Sequence, residues 1–118
     1  MMEQTCPFCQ IIAGERPGRI VYRDDLVTAF WDRAPITPIH ILIVPNQHIA
    51  SLNEANHEHQ ALLGHLLLTA KQVARDQGIF DSGYRVLVNT GRDGGQTIHH
   101  LHVHLIGGKS LPIGLATA

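Results

Sequence analysis

Residues 94–108 read GGQTIHHLHVHLIGG, and the alternation inside that stretch decides the fold. From His100 onward, His100, His102 and His104 interleave with Leu101, Val103 and Leu105. An extended chain sends successive side chains to opposite faces, so the leucines and valine face a core and the three imidazoles share the other side. Serine, threonine or lysine would serve solubility equally well, so three histidines on one strand face point to chemistry rather than to a solvated surface. The stretch is entered through Gly94-Gly95-Gln96-Thr97. Glycines let main chain approach a ligand and turn N–H groups toward anionic oxygens, while amide and hydroxyl side chains add neutral donors. A phosphate held beside a row of imidazoles is the consistent picture, because imidazole is a good nucleophile toward phosphorus and titrates near neutrality.

Outward from this strand, the same period-two signal recurs. RIVYRDD (19–25) and LVTAFWD (26–32) predict a hairpin turning at Asp24-Asp25, and IHILIVP (39–45) predicts a third strand after the break at Pro35 and Pro38. That third strand puts Ile39, Ile41 and Ile43 on one face and His40, Leu42 and Val44 on the other. GYRVLVN (83–89) is a fourth strand and HHLHVHLI (99–106) a fifth. A short helix is expected over Thr5–Ala13, with Thr5 as N-cap and Gly14 ending it. A long helix is expected over Glu58–Gln77, with Leu62, Leu66, Ala70 and Val73 inward, backed by Leu63, Leu67 and Ala74, and Gly78 as its stop. Five mainly antiparallel strands with one long and one short helix make an α+β domain.

The chain has 118 residues, 44% of them apolar, and a net charge of −1, which fits one domain over 1–118 with a core over about 5–110 and a tail over 111–118. There is no basic field to hold nucleic acid and no run suited to a membrane span, so neither partner is expected. MMEQTCPFCQ lacks the pattern of a signal peptide, and a cytoplasmic location is expected. Of the nine histidines, His57, His59 and His65 lie in or beside the long helix and are expected to be solvated or partly packed. Cys6 and Cys9, in CPFC, have too little chain before them for a thioredoxin-like redox motif. Two thiolates suit a closed tetrahedral zinc site instead, which needs two further ligands. His48 is one candidate; His99 or His100 supplies the other, with strand parity against His99 except where alternation fails at a strand's start.

HHLHVHLIGG, together with IIAGERPGRIVYRDDLVTAFWD, ITPIHILIVPNQHI, GYRVLVNTGRDGGQT and LIGG, resembles the histidine triad (HIT) family and its Hint branch, over about residues 5–110. The resemblance implies a purine nucleoside phosphoramidase-type hydrolase, a homodimer with its sheet continued across two copies, and a nucleotidyl-histidine intermediate. It implies His102 as nucleophile, His104 on the phosphate oxygens, His40 holding His102 in its tautomer, and Thr97 beside the leaving amine. Asp32 would take the ribose hydroxyls, Phe8, Ile11, Phe30 and Leu42 the base, and Asn89, Gly95 and the Thr97 backbone the phosphate, with Ile98 also on the substrate. It implies Cys6, Cys9, His48 and His100 as ligands of a structural zinc that the chemistry does not require. Thr97 stands where familiar members carry serine, and Arg33 where they carry an aliphatic residue. Two other readings are a dinucleoside polyphosphate hydrolase, which the GGQT approach and LIGG exit disfavour, or a nucleotidyl transferase of the same superfamily, and an enzyme whose catalytic metal is bound by His100, His102 and His104 together. A third class is a non-catalytic, zinc-stapled nucleotide-binding or interaction domain.

Overall fold

In a computed structural model, described over residues 5–114, the extended segments form one five-stranded antiparallel sheet. The strands are β1 (Ile20–Arg23), β2 (Val27–Trp31), β3 (Ile39–Pro45), β4 (Tyr84–Leu87) and β5 (Val103–Gly107), in the order β1-β2-β3-β5-β4. β3 lies at the centre, with Phe30 opposite Leu42 on one side and Leu42 opposite His104 on the other. Its alternating faces separate two cores, as the sequence pattern requires. Ile41 and Ile43 join Val27, Ala29, Val103 and Leu105 beneath the long helix α2 (Gln60–Asp76), which contributes Leu66, Ala70, Val73 and Ala74. Leu42 and Val44 join Phe30 and the short helix α1 (Pro7–Ile12), which contributes Phe8 and Ile11. Burying large apolar side chains on both faces supplies the main drive for folding, about 1.5–3 kcal/mol for each.

Several element ends differ from the sequence expectation. α1 starts at Pro7, whose missing N–H costs nothing in a first turn, and its N-cap is Cys6 rather than Thr5: Cys6 Sγ accepts from Cys9 N at 3.3 Å. α2 starts at Gln60, behind a 3-10 turn over His57–His59 capped by Asn56, and Gly78 ends it at φ 79°. Leu67, expected inward, is 54% exposed and its neighbour Leu68 61%, so the inward stripe is narrower than the run of leucines suggests. β4 stops at Leu87, and β5 begins at Val103 instead of His99. The register explains the second difference. Ile43 pairs with Val103, so the next rung would set Leu101 against Pro45, which has no N–H to give. Leu101 N donates instead to Ile49 O at 2.7 Å. The face alternation nevertheless persists through this unladdered segment, since Leu101 is buried in the α2-side core while His100 and His102 pack against Phe8.

The β1–β2 turn carries a feature the sequence did not reveal. Asp24 Oδ1 accepts from Leu26 N and Val27 N, both at 2.8 Å, and Oδ2 takes Tyr22 Oη at 2.8 Å and His65 Nε2 at 2.7 Å. His65 is thus a latch from α2 to the hairpin. Partial burial favours the neutral acid, but the bonds from His65, Tyr22 and the two amides outweigh it and hold Asp24 below the usual 3.8. Below the usual value, until the lowered one is reached, the folded chain binds fewer protons than the unfolded one. Stability from this carboxylate is therefore complete above about pH 5 and is lost as the pH falls through the folded value. Asp24→Ala should lower stability near neutrality by about 1–2 kcal/mol, with a smaller deficit near pH 3, in paired urea titrations. Equal deficits at both pH values would contradict the assignment.

Among the described residues, no helix is long and apolar enough to cross a membrane. The tail is anchored by Arg85 Nη2 donating to Pro112 O at 2.7 Å. Residues 115–118 of the expected tail lie outside the described residues.

Candidate active site and metal-ligand cluster

The three triad rings leave the chain on one side of the sheet and then part company. His102 sits just outside the β5 ladder, buried, with its Nδ1 2.6 Å from the His100 carbonyl oxygen. A carbonyl can only accept, so Nδ1 carries the proton and Nε2 keeps its lone pair. Burial lowers the pKa of His102, partly offset by the bond to His100 and the charge of Asp32, so the ring stays neutral near pH 7. Phe8 meets this ring edge-on, at 5.1 Å between centroids, and His104 lies 4.9 Å from it on the same face.

His104 belongs to a second chain of bonds. The Ile36 amide donates to His40 Nδ1 at 3.2 Å, which leaves the His40 proton on Nε2. That Nε2–H faces His104 Nδ1 at 3.0 Å and Asp32 Oδ2 at 3.3 Å. His104 Nδ1 therefore accepts, and its proton sits on Nε2, a buried nitrogen with no hydrogen-bond partner among the described residues. Burial, then His102 and His40, push its pKa down to about 4, so the group is a neutral donor. An orphaned buried N–H costs about 1–3 kcal/mol unless something accepts from it, which is what an anion-binding group looks like before its ligand arrives. Asp32, His40 and His104 also have the donor types for a metal, but the His40 Nε2 proton already bridges them and a cation would have to displace it. His40 was expected to hold His102; it bonds His104, and a main-chain carbonyl orients His102 in its place.

His100 turns to a different partner set. Its Nε2–H donates to Pro45 O at 2.9 Å, so Nδ1 presents a lone pair. That atom lies 3.4 Å from both Cys6 Sγ and Cys9 Sγ, and 3.2 Å from His48 Nδ1, which is itself 3.2 Å from Cys9 Sγ. Ligand atoms around a tetrahedral zinc stand about 3.3–3.8 Å apart, given bonds of about 2.0–2.3 Å. Two sulfurs and two ring nitrogens converging at that spacing, one nitrogen certain to be a lone pair, fit a cation, and the four residues could hold a metal. His99 is exposed and stands outside the cluster. The three triad histidines do not converge, which removes the arrangement in which His100, His102 and His104 bind one metal.

The remaining expected residues fall into two groups. Phe8, Ile11, Phe30 and Leu42 do meet, with Phe8 and Phe30 edge-on at 5.4 Å, in an apolar cluster that Ile98 borders. Asp32 turns one oxygen to Ala34 N at 2.8 Å and the other toward His40. Its carboxylate is part-exposed beside the triad. Asn89 is half-buried just past β4. The approach loop behaves differently from expectation. Gln96 is buried and spent on main chain: its Oε1 accepts from Gly91 N, and its Nε2 serves Ala50 O and Ile98 O. Gly95 N donates to Arg92 O at 3.1 Å, which removes it as an anion donor. Gly94 is required sterically, since a Cβ there would stand 2.3 Å from Thr90 O. Among the described residues, the N–H groups of Thr97 and Ile98 and the exposed Thr97 hydroxyl stay uncommitted. Thr97, Ile98 and His99 line a cleft of about 210 Å³ with Cys6, Pro7 and His48.

Residues 13–111 match the HIT domain family, and the chain belongs to that family. A purine nucleoside phosphoramidase of Escherichia coli K12 is 48% identical over 111 residues, covering 94% of this chain and 92% of that protein. A HIT family hydrolase from Clostridium thermocellum superposes with a TM-score of 0.92 at 41% identity, covering 95% of this chain and 97% of that one. A zinc-bound histidine triad family protein from Mycobacterium smegmatis superposes with a TM-score of 0.78 at 27% identity, covering 94% and 82%. Family and relatives together make the chain a HIT-type hydrolase.

Proposed function

We propose that this protein hydrolyses purine nucleoside phosphoramidates, including adenosine phosphoramidates and aminoacyl adenylate-type substrates, to the nucleoside monophosphate through a covalent nucleotidyl-His102. The observation that carries the reading is the pairing of opposite functions in two neighbouring rings on one face. His102 offers a lone pair on Nε2, and neighbouring His104 offers an orphaned Nε2–H. In the first step the His102 lone pair forms a bond to the α-phosphorus and the P–N bond of the substrate breaks. The departing amine takes a proton by way of the Thr97 hydroxyl. The His100 carbonyl, already on Nδ1–H, stabilises the ring's positive charge, as a buried acceptor does for a charged imidazole. The His104 Nε2–H and the Thr97 and Ile98 amides meet the negative phosphate oxygens. In the second step water adds its oxygen to phosphorus, the P–Nε2 bond breaks, and the water's proton replaces the one given to the amine. Asp32 accepts from the ribose, and Phe8, Ile11, Phe30 and Leu42 shape the base slot.

The Escherichia coli relative's activity supports the P–N specificity. Phosphorus NMR of an adenosine phosphoramidate mixed with the protein should show AMP formed with multiple turnovers, whereas a dinucleoside polyphosphate should turn over far more slowly. The reverse preference would overturn the reading. We assign the metal as zinc, held by Cys6, Cys9, His48 and His100, supplying coordination that ties α1 to the β3 end and no reactive step. Elemental analysis of protein purified without chelator should find about one zinc per chain; less than about a tenth of an equivalent would count against it. A homodimer is part of the proposal, supported by the open edge of β4 and the exposed Leu67 and Leu68. The protein is taken to act in the cytoplasm.

A further inference from the structure

His102 lies one residue beyond the β5 ladder, so the pairing that fixes Val103 against Ile43 does not extend through His102 to Leu101 and His100. What holds that segment is the Leu101 N bond to Ile49 O and the side chain of His100. His100 is therefore bifunctional. Its ring belongs to the cysteine–histidine cluster, and its carbonyl oxygen accepts the His102 Nδ1 proton at 2.6 Å. Ring and carbonyl belong to one residue, so releasing the ring from its partners removes one of the few restraints on where that acceptor sits. A second link runs in parallel. Phe8 lies between Cys6 and Cys9 on α1, and its ring meets both His100, at 5.9 Å, and His102, at 5.1 Å.

We propose that the Cys6–Cys9–His48–His100 cluster is a positioning element for the reaction: cation-bound, it clamps the His100 main chain and Phe8, and so keeps His102 in the tautomer and orientation that attack phosphorus. Loss of the cation, by chelation or by thiol oxidation, would then lower turnover by more than it weakens nucleotide binding. The inference rests on the proposed zinc site. Asp32 bonds Ala34 N and His40, whereas Phe30 and Leu42 pack in the same apolar cluster as Cys6.

The experiment compares zinc-loaded wild type, zinc-depleted wild type and Cys9→Ser, each checked for metal content and for folding by circular dichroism. Three quantities are read: kcat on an adenosine phosphoramidate, the Kd of AMP, and the ring 15N signals of His102. Depletion should lower kcat at least about tenfold, the scale seen when outer-sphere support is removed. AMP affinity should fall by a smaller factor than kcat, because Phe8 also shapes the base slot, and the Nδ1–H signal of His102 should broaden or shift, with zinc re-addition to wild type restoring kcat and signal. A folded, zinc-free protein with unchanged kcat and unchanged His102 signals would overturn the proposal. If depletion and Cys9→Ser both unfold the chain, cadmium replaces zinc in the folded protein; its longer bonds to sulfur should displace the His102 signals, and identical spectra would overturn the proposal. A preparation that never retains metal fails the zinc reading itself, and the proposal with it. Protein that binds zinc but does not cleave the phosphoramidate fails the substrate reading alone, because the spectra and AMP affinity still test the coupling.

Discussion

His102→Ala is expected to lower phosphoramidate turnover by about 10⁴-fold or more, the scale of losing a nucleophile from a unit that acts together. Every other candidate group in the pocket binds, donates or orients; in the proposed reaction His102 Nε2 alone forms a bond to phosphorus. The backbone there needs no imidazole to fold, since Leu101 and Val103 supply the core contacts on the opposite face. The variant should therefore remain folded and bind AMP within about tenfold of wild type, because base, ribose and phosphate contacts survive. Steady-state kinetics with calorimetry separates the two effects. Near wild-type turnover by a variant free of contaminating enzyme would remove His102 as nucleophile.

His104→Ala is expected to cost about 10²–10³ in kcat, about 2.7–4 kcal/mol, the usual loss for one pre-aimed donor to a developing oxyanion. Its Nε2–H is fixed by the chain from the Ile36 amide through His40, so the donor is in place before substrate arrives. Burial and the neighbouring rings hold its pKa down to about 4, so it is neutral well above that value. The factor lost should therefore be the same at about pH 6 and about pH 8. A loss that grew as the pH fell would mean that His104 works as a charged acid, contrary to its environment. His104→Gln, which keeps a neutral N–H donor, should recover part of the loss.

Much of this was legible in the amino-acid sequence because periodicity reports faces. The alternation in IHILIVP placed Ile41 and Ile43 opposite Leu42 and Val44, and the structure sends each pair to its own core. The spacing in HHLHVHL put Leu101, Val103 and Leu105 inward. The cysteines with His48 and a triad histidine do converge. Periodicity does not report register or hydrogen-bond partners, and the misses are of that kind. Pro45 ends the ladder only because it falls opposite Leu101. Gln96 looked like a phosphate donor and is instead the brace of its own loop. His40 faces the right side of β3 but bonds His104, and the group on His102 Nδ1 is no side chain: a main-chain carbonyl two residues back fills that role. His65, expected to be solvated or partly packed, is partly packed, and what the sequence did not name is its partner Asp24. A signal for it existed in the Asp24-Asp25 turn, but nothing in the sequence says which element passes above a turn.

The central claim is covalent, so it is tested most directly by trapping. Protein mixed with an adenosine phosphoramidate, quenched within the first turnovers and digested, should yield a peptide spanning 99–104 heavier by one adenylyl group, with fragmentation placing the mass on His102. A turnover-competent protein that shows no such adduct under conditions where product forms, or that carries it on another residue, would contradict a nucleotidyl-His102 intermediate.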